Sequence, residues 1–390
     1  MIPRYCPTYS FKDLTTSLHT SFVGNPLDSL RRRVSQMYVV KHVFLLSRAR
    51  TALYVLLKAY NRPGDVILPA YNCIVIPEAV LYAGYQPRFV DIAYDSFNAN
   101  IDAIQSSLTA TTTVVVATHQ FGSPFDEIEG ITELCREREV LVVEDAAAAL
   151  GATYRGKLVG TFGDAAILSF DSTKVISGGT GGALLLNDDV LADRVNDIMK
   201  KIVAAESRLI SFGKSAAWKM LTSPFLYKVV YPLYKLLYGE NMFETVTLQG
   251  RMPSGFLALC SQFTAALTLT QLVDWDKNLE ERRRIAQIYT SNLAGYPQIE
   301  MPKVSDESSP SWIRFPIKVS RKHDLYRYMQ SKGIDLSWTF RYSCADSFGL
   351  DGFPNARRAA QTVLGLPTYP SLSDEYAEYI CTAVKEYLSG

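Results

Sequence analysis

Histidine is scarce in this chain, with four in 390 residues, and the six cysteines are scattered with no Cys-x-x-Cys pair. That supply argues against a structural zinc site and against a disulfide framework. Unpaired thiols at Cys6, Cys73, Cys135, Cys260, Cys344 and Cys381 fit a reducing cytoplasm. An excess of charge of either sign is also missing. The 40 basic side chains face 39 acidic ones, which removes any electrostatic reason to expect nucleic-acid binding. The start, Met1 to Tyr5, has no apolar run behind it, so no signal peptide is expected. Internal repeats and low-complexity tracts are absent. What is present is a globular composition, 48% hydrophobic and 20% charged, long enough for a large domain and a smaller one.

From about residue 40 to 190, apolar strands alternate with helical stretches. Val39-Val40 with Val43 to Leu46, Asp65 to Pro69, Arg88 to Val90 and Thr113 to Ala117 read as strands, as do Leu141 to Val143, Ala165 to Phe170 and Ala183 to Leu186. Thr51 to Tyr60 and Pro77 to Ala83 read as helices. Several strands are continuous apolar runs, as expected when helices cover both faces. Strands separated by helices predict βαβ units and a mostly parallel sheet. Beyond about 255 the texture changes to a long helical stretch from Ser261 to Leu293, a strand at Ile313 to Val319, and helices from His323 to Lys332 and Asp374 to Leu388. The expected division is a large α/β domain over 1–250 and a small α+β domain over 251–390.

Two strand ends carry the chemistry. Glu144-Asp145-Ala146-Ala147 closes the apolar run Val140 to Val143. Ser169-Phe170-Asp171-Ser172-Thr173-Lys174 follows the next strand, beside Gly178-Gly179-Thr180-Gly181-Gly182. Ligands on parallel sheets sit at the carboxyl ends of strands, where both segments fall. A lysine there can condense with the aldehyde of pyridoxal phosphate. A carboxylate can hold the pyridine nitrogen protonated, so that the ring acts as an electron sink. Singly, each residue is an ordinary loop residue; their order and spacing carry the reading.

Read outward from Lys174, the chain resembles the DegT/StrS-type sugar aminotransferases, a branch of the fold type I pyridoxal-phosphate enzymes. The resemblance runs in order through Arg50-Thr51-Ala52-Leu53, Leu68-Pro69-Ala70-Tyr71, Ala79 to Gly84, Pro87 to Asp91 and His119 to Gly122. It continues through Val143 to Ala147, Gly163-Asp164, the Ser169 to Lys174 segment, Gly181-Gly182-Ala183 and Val363 to Pro370. It leaves out the first 40 residues and an insertion near 200–245. The resemblance implies pyridoxal 5′-phosphate as cofactor and a homodimer with shared active sites. It assigns Lys174 to the aldehyde and to proton transfer, Asp145 to the pyridine nitrogen, and Ser169 to the phosphate. Arg50 and Thr51 fall where the family's helix start offers backbone N–H groups to that phosphate. His119 and Arg251 are candidate substrate contacts, with a core or loop histidine an equal reading of His119.

Departures from the family pattern are equally specific. The Gln that contacts the cofactor's phenolic oxygen is replaced by Ala148, and Cys73 stands where an aromatic ring stacks on the pyridine. The Gly-Glu-Gly-Gly after the lysine has become Gly179-Thr180-Gly181-Gly182, and the Asn offered by the partner subunit corresponds to Gln249. A family subset that dehydrates sugars has histidine in place of the lysine, so Lys174 implies amino transfer. The expected substrates are an amino acid, glutamate foremost, and a nucleotide-linked deoxysugar ketone destined for surface polysaccharide or glycoconjugate. A pyridoxal enzyme for another ketone or amino acid, or a cofactor-binding regulatory or scaffolding protein, stays open.

The 205–245 insertion includes an apolar, aromatic stretch at 216–238 interrupted by Lys219, Lys228, Lys235, Pro224 and Pro232. Those interruptions rule it out as a membrane span. The expectation is an amphipathic segment packed on the body or at a subunit interface, with peripheral membrane contact as the alternative.

Overall fold

The computed structural model describes residues 1–202, 205–238 and 248–390. Its centre is a seven-stranded sheet built of β1 (His42–Leu46), β2 (Asp65–Pro69), β3 (Gln86–Val90), β4 (Thr112–Thr118), β5 (Leu141–Asp145), β6 (Ala165–Ser169) and β7 (Gly182–Leu186). The spatial order is β1-β7-β6-β5-β4-β2-β3. β7 pairs antiparallel with both neighbours and every other pairing is parallel, so the sheet is mostly parallel, as expected.

The continuous apolar runs are explained by two cores. Val114 and Val116 of β4 enter a cluster on one face with Val143, Ile167 and Leu184. Val115 and Ala117 enter a second cluster on the other face with Val142, Leu168 and Leu185. Alternate residues point to opposite faces, so a strand covered on both sides has no polar position to spare.

Local chemistry sets the element ends. Ser10 caps the Phe11–Val23 helix and Asp13 returns the bond, a reciprocal capping box. Val39, expected in a strand, instead ends the Pro26–Tyr38 helix in the left-handed region at φ 51°, and β1 starts at His42. Gly182 matters for the site, because a Cβ there would fall on the backbone of Arg48 and Ala49. Only glycine lets the start of the Ala49–Tyr60 helix approach β7 so closely.

A third core, including Ile285, Tyr289, Phe315, Ile317, Leu364 and Ile380, organises the C-terminal body, and Ile2 from the chain start joins it. Its two-stranded sheet pairs Phe315–Lys318 with Val363–Leu366. The long helix expected from 261 to 293 is two helices, Gln262–Gln271 and Trp275–Leu293. Non-helical backbone at Asp274 (φ −111°, ψ 33°) parts them. The first of these lies beyond the expected boundary at 251, yet packs on the 11–23 and 26–38 helices.

The insertion forms two helices, Arg208–Leu221 and Pro224–Tyr238. Pro224 opens the second, where its missing N–H costs nothing and its ring disfavours helix in the residue before it. The part of the expected insertion at 239–245 lies outside the described residues. The first helix is fixed to the body by the Tyr9 hydroxyl donating to the Ser215 carbonyl (3.1 Å) and by Trp218 stacking on Tyr5 (5.5 Å between centroids). The second is held by Tyr227, which donates to Asp335, and by the Tyr231–Tyr326 hydroxyl pair (2.7 Å).

Candidate active site

A cavity of about 290 Å³ opens at the carboxyl ends of β5 and β6, against the start of the 49–60 helix. Asp145, the last residue of β5, lines it, as do Ser169 at the end of β6 and Lys174 five residues on. Parallel neighbours β5 and β6 end side by side, which is why residues distant in sequence converge there.

Asp145 is buried, and burial pushes its carboxyl up from the ordinary carboxylate range, although the nearby Lys174 charge works the other way. Its one bond among the described residues is accepted from the Ala147 N–H at 3.1 Å. A carboxylate so placed gains most from a cationic partner in the cavity, such as a protonated ring nitrogen. Ser169 Oγ accepts a long bond from the Asp171 N–H (3.4 Å) and faces the cavity.

The opposite wall is the helix start. Ala49, Arg50 and Thr51 occupy its first turn, whose N–H groups have no intrahelical acceptor. Arg50 lines the cavity; its Nε is buried with no hydrogen-bond partner among the described residues, while its guanidinium stacks over Phe256 at 5.5 Å. Arg48 stands at the rim, 3.6 Å from Asp171. The Arg50 guanidinium, the amides of the helix start and the Ser169 hydroxyl are groups that can cradle a phosphate. The Thr51 side chain is not part of it, because its hydroxyl is buried and donates to the Phe256 carbonyl at 2.8 Å.

The other expected residues divide. Cys73 lines the cavity at the start of the Val75–Ala83 helix, where burial pushes its thiol up. Ala148 lines it too, leaving that part of the wall apolar. His119 is not brought to the cavity as a substrate contact. It is wholly buried, with Nε2 paired to Glu144 (3.0 Å) and Nδ1 accepting from the Phe125 N–H (3.0 Å). Both ring nitrogens are committed, so its role is structural. Gln249 and Arg251 also lie away from this chain's own cavity. The Gln249 N–H donates to Glu78 (2.8 Å), and the Tyr82 hydroxyl reaches the carbonyls of both residues.

Sequence reasoning missed Asn72, Thr118, Gln120 and Phe340, all lining the cavity. Asn72 Nδ2 donates to Thr118 Oγ1 at 3.2 Å, and Gln120 Nε2 to the Tyr71 carbonyl at 3.2 Å. The adjacency of Asn72 to Cys73, and of Thr118 and Gln120 to His119, was the available signal; Phe340 has none, since it arrives from the C-terminal body.

Similarity to known proteins identifies the family. The profile of the DegT/DnrJ/EryC1/StrS aminotransferase family covers residues 10–385. The chain belongs to that family. A GDP-perosamine synthase of Vibrio cholerae is 26% identical, with 100% of each chain covered. The spore coat polysaccharide biosynthesis protein SpsC of Bacillus subtilis is 26% identical over 97% of this chain and 94% of its own. The solved aminotransferase TlmJ from Streptoalloteichus hindustanus, 24% identical, superimposes with a TM-score of 0.80 over 100% of this chain and 99% of that one, which shows the shared fold.

The protein is thus a pyridoxal-phosphate-dependent aminotransferase of fold type I. The cavity residues fit that cofactor: the helix start, Arg50 and Ser169 would hold its phosphate, Asp145 its ring nitrogen and Lys174 its aldehyde carbon. Once bound, the cofactor supplies the electron sink that no protein side chain provides.

Proposed function

We propose that this enzyme moves an amino group from an amino acid, glutamate foremost, to a keto group on a nucleotide-linked deoxysugar for surface polysaccharide or glycoconjugate synthesis. The exchange balances without a further reductant: amino acid and keto sugar become keto acid and amino sugar. The observation that carries the reading is the placement of Lys174 and Asp145 on one cavity, in a chain aligned end to end with a GDP-perosamine synthase.

Each residue has a task. The Lys174 amine takes a proton from the donor carbon and returns one on the far side of the transfer. Asp145 keeps the ring nitrogen cationic. Arg50, Ser169 and the helix start anchor the phosphate. Arg48 at the rim places positive charge where a nucleotide diphosphate would enter. Gln249, placed outside its own cavity, is assigned to the partner's phosphate in a homodimer. The six thiols, all unpaired, support a cytoplasmic location.

The test is direct. Protein loaded with pyridoxamine phosphate is offered a panel of nucleotide-linked 3- and 4-ketosugars, and amine transfer is followed by mass spectrometry. Amination of at least one sugar, with the aminated product gaining its nitrogen stoichiometrically, is expected. Amination of simple keto acids alone would contradict the sugar assignment.

A further inference from the structure

The inserted helices turn much of their apolar surface outward, although Phe212 and Ala216 of the first pack inward against Tyr9, Leu14, Phe263 and Leu267. In 208–221, Ser211 and Ser215 are buried, whereas Leu209, Ile210, Met220 and Leu221 are exposed. In 224–238, the hydroxyls of Tyr227 and Tyr231 hold the helix to the body, whereas Phe225, Val229, Leu233 and Leu236 are 55–81% exposed. Those four recur at spacings of four, four and three, which is one stripe of a helix. Eight of the eighteen large hydrophobics exposed among the described residues fall within 209–236. Scattered apolar side chains on a surface need no explanation, but a concentration of this kind marks an interaction site.

Charge identifies the occupant. Residues 207–238 contain Arg208, Lys214, Lys219, Lys228 and Lys235 and no aspartate or glutamate, in a chain whose charges balance overall. Of the first four, only Lys214 has an acidic partner among the described residues, Glu206 just before the segment. Lys228 is exposed and follows the stripe residue Phe225 by three positions. A second copy docked face to face through this surface would bring Lys228 of each copy together, with no acid on the 224–238 helix to pair it. No described helix is long and apolar enough to cross a membrane. An apolar stripe with exposed Lys228 beside it, on a helix without acids, is the signature of a helix lying in the headgroup layer.

We propose that residues 208–238 dock the enzyme on an anionic lipid surface, the apolar stripes entering the acyl boundary and the basic residues meeting lipid anions. The contact would bear directly on the active site. Gly179, five residues after Lys174, has no room for a Cβ against Ser215 Oγ, so the first of these helices rests on the loop that carries the catalytic lysine.

The test sediments the full-length holoenzyme with vesicles of phosphatidylcholine, with and without phosphatidylglycerol. Pelleting is expected with the anionic vesicles at low salt and release at high salt. Each basic residue near such a surface strengthens binding about fivefold, so Lys228→Ala with Lys235→Ala should weaken it roughly 25-fold. Leu233→Glu should abolish it with cofactor absorbance and melting temperature unchanged, because Leu233 is exposed. A wild type that ignores anionic vesicles overturns the proposal. So does equal, salt-insensitive pelleting with neutral vesicles. An assembly that Leu233→Glu splits apart would overturn it as well, making the face a self-interface.

Discussion

Glu144 and Asp145 are adjacent at the end of one strand, yet their carboxylates serve unrelated ends. Glu144 is wholly buried and accepts the N–H groups of Gly160 (2.6 Å), Phe162 (2.6 Å) and Gly163 (2.7 Å), along with His119 Nε2 (3.0 Å). Asp145 faces the cavity with one such bond. The strand's two-residue alternation divides the pair. One carboxylate fastens the 160–163 loop beneath the site, and the other is left for the cofactor.

That division predicts opposite mutant phenotypes. Asp145→Asn should keep its melting temperature, since burial already disfavours the charge there. Its turnover should fall by more than the ~1.5–3 kcal/mol of one charge-assisted hydrogen bond, because the same contact also stabilises the reacting carbanion. Steady-state kinetics beside thermal melts will show it; near-normal kcat would remove Asp145 from this role.

Glu144→Gln should do the reverse. An amide cannot accept all four donors with ionic strength, and its NH₂ faces N–H groups, so unfolding in urea should come about 1.5–3 kcal/mol earlier. Unaltered stability would show that the cage contributes nothing.

A separate pH effect is built into the C-terminal body. Burial lowers the Lys322 ammonium from 10.5 to about 7 and Lys318 to about 8. Between those values and 10.5 the unfolded chain holds the protons that the folded chain has shed. The contribution of these lysines to stability therefore rises with pH across that window and is least below about 7. Each unit of displacement is worth about 1.4 kcal/mol. Lys322→Met should flatten the difference in stability between pH 7 and 10; parallel pH profiles for wild type and variant would contradict it.

Much of this was legible in the sequence because it is local. Unbroken apolar runs announced a sheet covered on both faces, and Asp145 and Lys174 announced themselves by lying at and just past the ends of two strands of that sheet. What was illegible depends on distant partners. The Thr51 hydroxyl turns to the Phe256 carbonyl, His119 is taken by Glu144 and Phe125, and Phe340 enters from another body. Periodicity in 216–238 revealed an apolar face but not which side it would take. The favoured reading is a segment packed on the body or at a subunit interface. Within the expected face Leu226 and Val230 are partly buried, whereas Val229, Leu233 and Leu236 are exposed on the single chain, so they do not pack on their own body.

The most direct measurement concerns Lys174. Purified protein should be yellow; borohydride should bleach it and fix the cofactor covalently, and peptide mapping should find the adduct on Lys174. Lys174→Ala should fold with the wild-type melting profile and take up no label. A reduced adduct on another lysine, or none at all from a cofactor-saturated sample, would contradict the account of this active site.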